Sequence, residues 1–270
     1  MNVTTATAVA RSKKGIYMNK LVPIIAFSLA ASIFAAWYLA NKQSSLPALP
    51  SNTLIVGINT DYAPFSFIEN DTISGFDIDL VREIADRLGK TIELRDMPFD
   101  SLIPALQIGS VHFIASGITP TKERASRVLF TKPYLTGDPL LLISTTKNTL
   151  TSLDQLKDKK VAVNEGYTAD YYMAKVQGPE LIRFATPFES FMALNSERVD
   201  ALVMAQHSAK KFIEQLGAHK FVVTPIPDTT DEYALAISKR HPELLEPIQK
   251  ALDDMQKDGT FEQLKKKWKL

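Results

Sequence analysis

Arg124 is a residue placed to do chemistry. It closes the stretch Phe113-Ile114-Ala115-Ser116-Gly117-Ile118-Thr119-Pro120-Thr121-Lys122-Glu123-Arg124. The stretch begins as an apolar run with strand character, breaks at Ser116-Gly117 and restarts as a helix, with Thr119 or Thr121 able to cap its first turn. A strand that feeds a helix leaves several backbone N–H groups unpaired and pointing together, and their dipoles favour an anion. Gly117 lets that backbone approach a ligand closely. An arginine in the first turn opposes the helix dipole, and its planar fork suits a carboxylate. The same residues also fit an ordinary strand–helix joint with a solvated arginine.

Other loops supply matching groups. An α-amino acid would have its carboxylate held by Arg124, helped by N–H groups at Gly117, Thr119 and Thr168. Tyr62 and Phe99 would sandwich its side chain, because aromatic faces suit a guanidinium or ammonium group at about 0.5–2 kcal/mol per contact. Asn59 and Glu165 would bind its polar end. Taken singly, each aromatic reads first as core, and Glu165 equally as a solvated loop carboxylate.

Strands and helices alternate to position these loops. The folded part starts near Thr53 with a strand over 54–58, then a loop over 59–65. A helix over 75–89 carries Leu80, Ile84 and Leu88 on one face. A strand over 91–94 follows, then a helix that Asp100 caps and Gly109 ends, and then the Arg124 stretch. The pattern breaks between Tyr134 and Asp138 and starts again: strands over 140–144, 160–163, 199–204, 221–223 and 233–237, and a capping box at Thr186-Pro187-Phe188-Glu189. The end, from Pro242, is helical with a break near Gly259. Alternation of this kind predicts a parallel α/β sheet. Phe99-Asp100-Ser101 with Ala105-Leu106 and Val111 is echoed by Phe188-Glu189-Ser190 with Ala193-Leu194 and Val199, which suggests two related lobes. The loops 59–65, 116–124 and 164–168 all follow strands, where ligands of such sheets bind.

Composition narrows the classes. The chain has 270 residues and a formal net charge of +1, so no nucleic-acid footprint is implied. It has no cysteine, which excludes disulfides, thiolate metal sites, a cysteine nucleophile and lipid attachment at cysteine. His112, His207, His219 and His241 show no i, i+4 pairing and read as structural or solvated, so no metal or cofactor is expected. No G-x-S-x-G, Walker, G-x-G-x-x-G or H-E-x-x-H pattern occurs, which argues against an enzyme. Residues 1–42 form an N-terminal extension. Within it, Leu21 to Ala40 is apolar or small and uncharged between Lys20 and Lys42, as in a secretory signal or a retained anchor. Met18 is an alternative start. Residues 43–51 read as an extended linker.

From about residue 52 onward the chain resembles the polar amino-acid-binding proteins of bacterial ABC importers, solute-binding protein family 3, and among them the arginine binders. The segments that carry the resemblance are Tyr62-Ala63-Pro64-Phe65, Gly75-Phe76-Asp77-Ile78-Asp79-Leu80, Phe99 to Leu106, Gly117 to Arg124, and Asp258-Gly259-Thr260. The resemblance implies a two-lobed, type II periplasmic-binding fold with two crossover strands that closes on its ligand. Lobe 1 would be 52–135 with 233–270, and lobe 2 would be 136–232. It places the carboxylate-binding arginine at Arg124, its neighbouring donors at Ser116, Gly117 and Thr119, the stacking aromatics at Tyr62 and Phe99, and second-lobe contacts near Tyr167 and Thr168. Two positions depart from the family pattern. Asn59 stands where basic-amino-acid binders often carry aspartate. Ala205, with Gln206 beside it, stands where an acid usually meets the ligand's amine, so that role falls to Gln206 or to an acid among Asp228, Asp231 and Glu232. The expectation is an exported, monomeric, non-enzymatic binder of a basic amino acid, arginine first, working with membrane permease subunits. The alternatives are a glutamine or other polar amino-acid binder, a dehydratase-like enzyme on the same fold with Glu165 as its acid or base, and an anchored sensor domain.

Overall fold

A computed structural model of the chain describes residues 52–270. The expected signal and linker lie outside the described residues. Strand β1 (Thr53–Ile58) is followed by a small antiparallel meander, β2 (Asp61–Tyr62), β3 (Ser66–Glu69) and β4 (Thr72–Ser74). Helix α1 (Phe76–Arg87), strand β5 (Thr91–Asp96), helix α2 (Phe99–Ile108) and strand β6 (Phe113–Ile118) come next. Helix α3 (Lys122–Arg127) precedes β7 (Leu129–Phe130), β8 (Leu135–Asp138) and β9 (Leu140–Thr145). Then come β10 (Lys160–Asn164), α4 (Thr168–Met173), β11 (Glu180–Phe184), α5 (Pro187–Asn195), β12 (Ala201–Ala205), α6 (Gln206–Leu216) and β13 (Phe221–Pro225). Strand β14 (Asp231–Ile237) leads to α7 (Leu245–Asp258) and α8 (Thr260–Trp268).

The strands of the two lobes form two main sheets, each mixed rather than wholly parallel. The first runs β5-β1-β6-β14-β7, with β8 also paired to β14; β1 is parallel to β5 and β6, and β14 is antiparallel. The second runs β11-β10-β12-β9-β13, with β10 parallel to β11 and β12, and β9 antiparallel to β12 and β13. Both repeat one plan: a β-α-β-α-β run whose first strand is central and whose third meets an antiparallel strand. The echo between the segments at Phe99 and Phe188 is the trace of that plan, since α2 leads into β6 and α5 into β12. The chain crosses from the first sheet to the second where β8 runs into β9, and returns where β13 runs into β14. These are the two crossovers the family pattern implies, and β8 and β14 pair antiparallel.

Alternation along the strands sends side chains to both faces of each sheet. Leu54, Val56 and Ile58 pack with Phe76, Ile84, Ile248 and Phe261 from α1, α7 and α8, while Ile55 joins the α2 side with Leu102 and Leu106. In the second sheet Val161, Val163 and Val203 pack towards α4, and Ala162, Leu202 and Ile143 towards α5. All six residues of β6 are buried. Among the described residues no helix is long and apolar enough to cross a membrane.

Local differences have local causes. β6 does not break at Ser116-Gly117; Gly117 takes φ 51° inside the strand, and the chain turns only after Ile118. Asp100 does not cap α2, because the helix already begins at Phe99 with Pro98 as its N-cap. The capping box at Thr186 and Glu189 forms as read, and Gly109 ends α2 in the left-handed region.

Candidate functional site

The loops after β1, β5, β6 and β10 converge where the two sheets face one another. Thr121 caps α3 by accepting the Arg124 backbone N–H at 3.2 Å, which fixes the arginine in the first turn. Arg124 is 4% exposed. Its Nη1 donates to the Thr119 carbonyl and its Nη2 to the Gly166 carbonyl, each at 2.9 Å, and its guanidinium lies 5.3 Å from the centre of the Phe99 ring. Burial holds its pKa below the usual value, although Tyr171 and Asp231 favour the charged form. Among the described residues no carboxylate lies within ion-pair distance of it.

Asp231, the first residue of β14, reaches the same cleft and is also 4% exposed. Thr168 Oγ1 donates to its Oδ2 at 2.6 Å. Burial, with repulsion from Asp138, pushes its pKa up to about 6 against the opposing pull of Thr168, Thr119 and Arg124. Thr119 Oγ1 is buried without a hydrogen bond of normal geometry, although it lies near enough to Asp231 to favour its ionised form. Of the candidates for the amine, Asp231 is therefore in the cleft. Gln206 is exposed at the start of α6 and does not line it. The signal for Asp231 was weak in sequence, because its burial depends on the pairing of β14 with β8.

Tyr62, Phe99, Gly117, Thr119 and Thr168 line this cleft together with Arg124, Asp231 and Tyr167. The two aromatics expected to sandwich a ligand's side chain instead both pack on the ring of Tyr167. That ring sits 4.3 Å from Phe99 and 5.5 Å from Tyr62, centre to centre. Its hydroxyl donates to Asn59 Oδ1 over a long 3.4 Å. The Asn59 amide is otherwise engaged with the Met97 carbonyl at 3.1 Å and Asp61 Oδ2 at 3.4 Å. The space left in the cleft is about 10 Å³, room for about one water. A wider groove of about 280 Å³ adjoins it, sharing Thr119, Thr168 and Asp231 and adding Tyr171, Lys175 and Asp228.

Three expected groups serve the scaffold. The Gly117 N–H donates to buried Asp77 Oδ2 at 2.6 Å, and Tyr134 donates to the other oxygen at 2.6 Å. Burial raises the Asp77 pKa to about 6. Ser116 Oγ accepts the Asn59 backbone N–H at 3.2 Å and ties the ends of β1 and β6. Glu165 is exposed and uses its N–H on the Phe184 carbonyl. Sequence reading missed the polar chain behind the cleft. Tyr62 and Tyr233 hydroxyls lie 3.2 Å apart, Tyr233 bonds to the fully buried Asp138, and His207 Nδ1 lies 2.8 Å from that carboxylate. This chain joins both crossover strands, β8 and β14, to α6.

A two-sheet fold with two crossovers and a buried polar cleft between the sheets is that of a two-lobed solute-binding protein. Residues 54–270 match the model of the bacterial extracellular solute-binding proteins, family 3, and the chain belongs to that family. It is 31% identical to the arginine-binding extracellular protein ArtP of Bacillus subtilis, covering 89% of this chain and 95% of that protein. An ancestral arginine-binding protein bound to arginine superposes with a TM-score of 0.77 at 37% identity, covering 81% of this chain and 98% of that one. The ancestral amino acid-binding protein AncCDT-1, a precursor of cyclohexadienyl dehydratase, superposes with a TM-score of 0.72 at 35% identity, over 80% of this chain and 95% of that one.

Proposed function

We propose that the chain is the exported substrate-binding component of an ABC amino-acid importer, and that it binds a free basic L-amino acid, arginine first, between its lobes. The observation that carries this is the pairing of two buried opposite charges, Arg124 and Asp231, on one cleft without a direct bond between them. A zwitterionic head group satisfies both: its carboxylate replaces the carbonyls on the Arg124 fork, and its ammonium meets Asp231, Thr168 and Thr119. The side chain is assigned to the aromatic pair Tyr62 and Phe99, with Asn59 and the neighbouring Asp61 at its far end. The names of the arginine-binding relatives support a basic ligand; glutamine is the alternative that an amide at Asn59 also accommodates. Lobe 1 is assigned to 52–135 with 233–270 and lobe 2 to 136–232, acting as a monomer that delivers its ligand to membrane permease subunits.

A thermal-shift screen of residues 44–270 against the proteinogenic amino acids tests this. A ligand that binds only the folded state stabilises it by about 4 kcal/mol at a thousandfold excess over Kd. The largest shift is expected with arginine. A largest shift with glutamine would overturn the basic assignment, and no shift with any amino acid would overturn the binder. One observation favours a second reading, a dehydratase-like enzyme: Asp231 sits in the cleft with a pKa near neutral, as a general acid or base would. Chemical turnover of a bound ligand, as opposed to its stoichiometric recovery, would decide for that reading.

A further inference from the structure

A ligand anchored between Arg124 and Asp231 has two ways to extend. Outward lies the groove at Tyr171 and Lys175. Inward lies the slot between Tyr62 and Phe99, and there the chain has placed its own aromatic ring. Tyr167 is 8% exposed and precedes Thr168, whose hydroxyl bonds Asp231, so one short segment sets both the head-group site and the slot. Its ring lies 4.3 Å from Phe99 and 5.5 Å from Tyr62, and the remaining cavity holds no more than about one water. Arg124 and Asp231 bound that same space, so the head group of any amino acid enters only as the cleft widens, and a long side chain must also take the ring's place. The ring's polar anchor is slight: one hydroxyl contact to Asn59 at 3.4 Å, beyond the usual range for O–H···O. Its hold is mainly packing against the same two rings a ligand would use.

We propose that Tyr167 is a specificity-determining plug: its ring occupies the slot between Tyr62 and Phe99, so a long ligand side chain binds only by displacing it, and short side chains bind without doing so. This rests on the amino-acid-binding reading above. The plug sets a length-dependent handicap, since each long ligand competes with an intramolecular side chain already at the site.

The test is calorimetric titration, direct or by competition, of wild type, Y167S and Y167F with arginine and with alanine. Serine removes the ring; phenylalanine keeps the ring and removes only the hydroxyl bond. The plug predicts that Y167S tightens arginine tenfold or more while alanine changes less than threefold, and that Y167F keeps the wild-type ratio of the two affinities. Arginine binding that appears in Y167S and is absent in wild type supports the same conclusion. An arginine-to-alanine ratio in Y167S within threefold of wild type overturns the plug and places the side chain in the outer groove, leaving the binder intact. A loss of arginine affinity in Y167S overturns it too, since the ring would then be a ligand contact. If neither amino acid binds any of the three proteins, it is the binding reading that fails, and the plug with it.

Discussion

At the residue scale the cleft is held by two buried charges that do not touch. Each is costly alone: Arg124 has given its fork to two backbone carbonyls, and Asp231 has its pKa pushed up to about 6 by burial. Arg124→Ala removes the carboxylate partner of a bound amino acid, which costs about 3 kcal/mol, roughly a hundredfold in Kd. Near-wild-type titration calorimetry for that variant would refute the assignment. Asp231 makes a second prediction, in pH. An ammonium needs the ionised carboxylate, so affinity is expected to fall as pH drops through about 6, approaching tenfold per pH unit. Neither the amine nor the carboxylate of a free α-amino acid titrates between pH 7.5 and 5. Asp231→Asn should bind weakly and show a flat profile there; a wild-type Kd that is itself flat over that range would remove Asp231 from the amine's site. Stability responds in the opposite sense. Asp231 and Asp77 both have folded-state pKa values of about 6, above the usual 3.8. Their stabilising contribution is full below about pH 4 and is lost as pH rises through 6.

At the element scale the site depends on the joint between β6 and α3. Gly117 adopts φ 51°, and a Cβ there would sit 2.6 Å from Tyr62 Cε1. Gly117→Ala must strain the backbone and move the Tyr62 ring, at about 3 kcal/mol in total, or roughly 6–12 °C in Tm. Gly89 is the control: its φ is 62°, but nothing lies within 4 Å of a Cβ there, so Gly89→Ala should cost only the left-handed strain, about 1 kcal/mol. Equal melting losses in the two variants would show that the approach of Tyr62 is not tight. What was legible in the sequence follows the same division between local and distant. The capping box at Thr186, the stop at Gly109 and the position of Arg124 after a strand are written within a few residues, and sequence reading found them. The meander over 61–74 and the strand Glu180–Phe184 carry too few buried residues to show an apolar period. The commitment of the Gly117 amide to Asp77, the insertion of Tyr167 and the burial of Asp231 arise from segments 40, 68 and 63 positions away in sequence, Asp77, Phe99 and Thr168 respectively, which no local pattern encodes.

At the scale of the whole molecule, contacts between the two sheet bodies extend beyond the cleft. Lys211 on α6 places its Nζ 4.1 Å from the centre of the Phe67 ring on β3, and Phe67 packs edge-on against Trp268 at 5.7 Å. His207 on α6 lies 6.0 Å from Phe65, ring centre to ring centre. In the proposed hinged opening about the two crossovers the Lys211–Phe67 and His207–Phe65 contacts separate, so each would stabilise the closed form, whereas the Phe67–Trp268 contact lies within lobe 1 and stays. A ligand that needs the closed form binds with an affinity scaled by the closed fraction. Lys211→Ala removes a cation–π contact of about 0.5–1 kcal/mol between two half-buried residues, so arginine Kd should rise by up to about two- to fivefold although Lys211 does not line the ligand cleft. Lys211→Arg retains the contact and should bind as wild type does. The loss belongs to closure, and it should therefore appear in small-angle scattering as a larger mean radius of the unliganded Lys211→Ala protein that contracts on adding arginine. An unchanged Kd together with an unchanged radius would show that the Lys211–Phe67 contact does not bias the hinge.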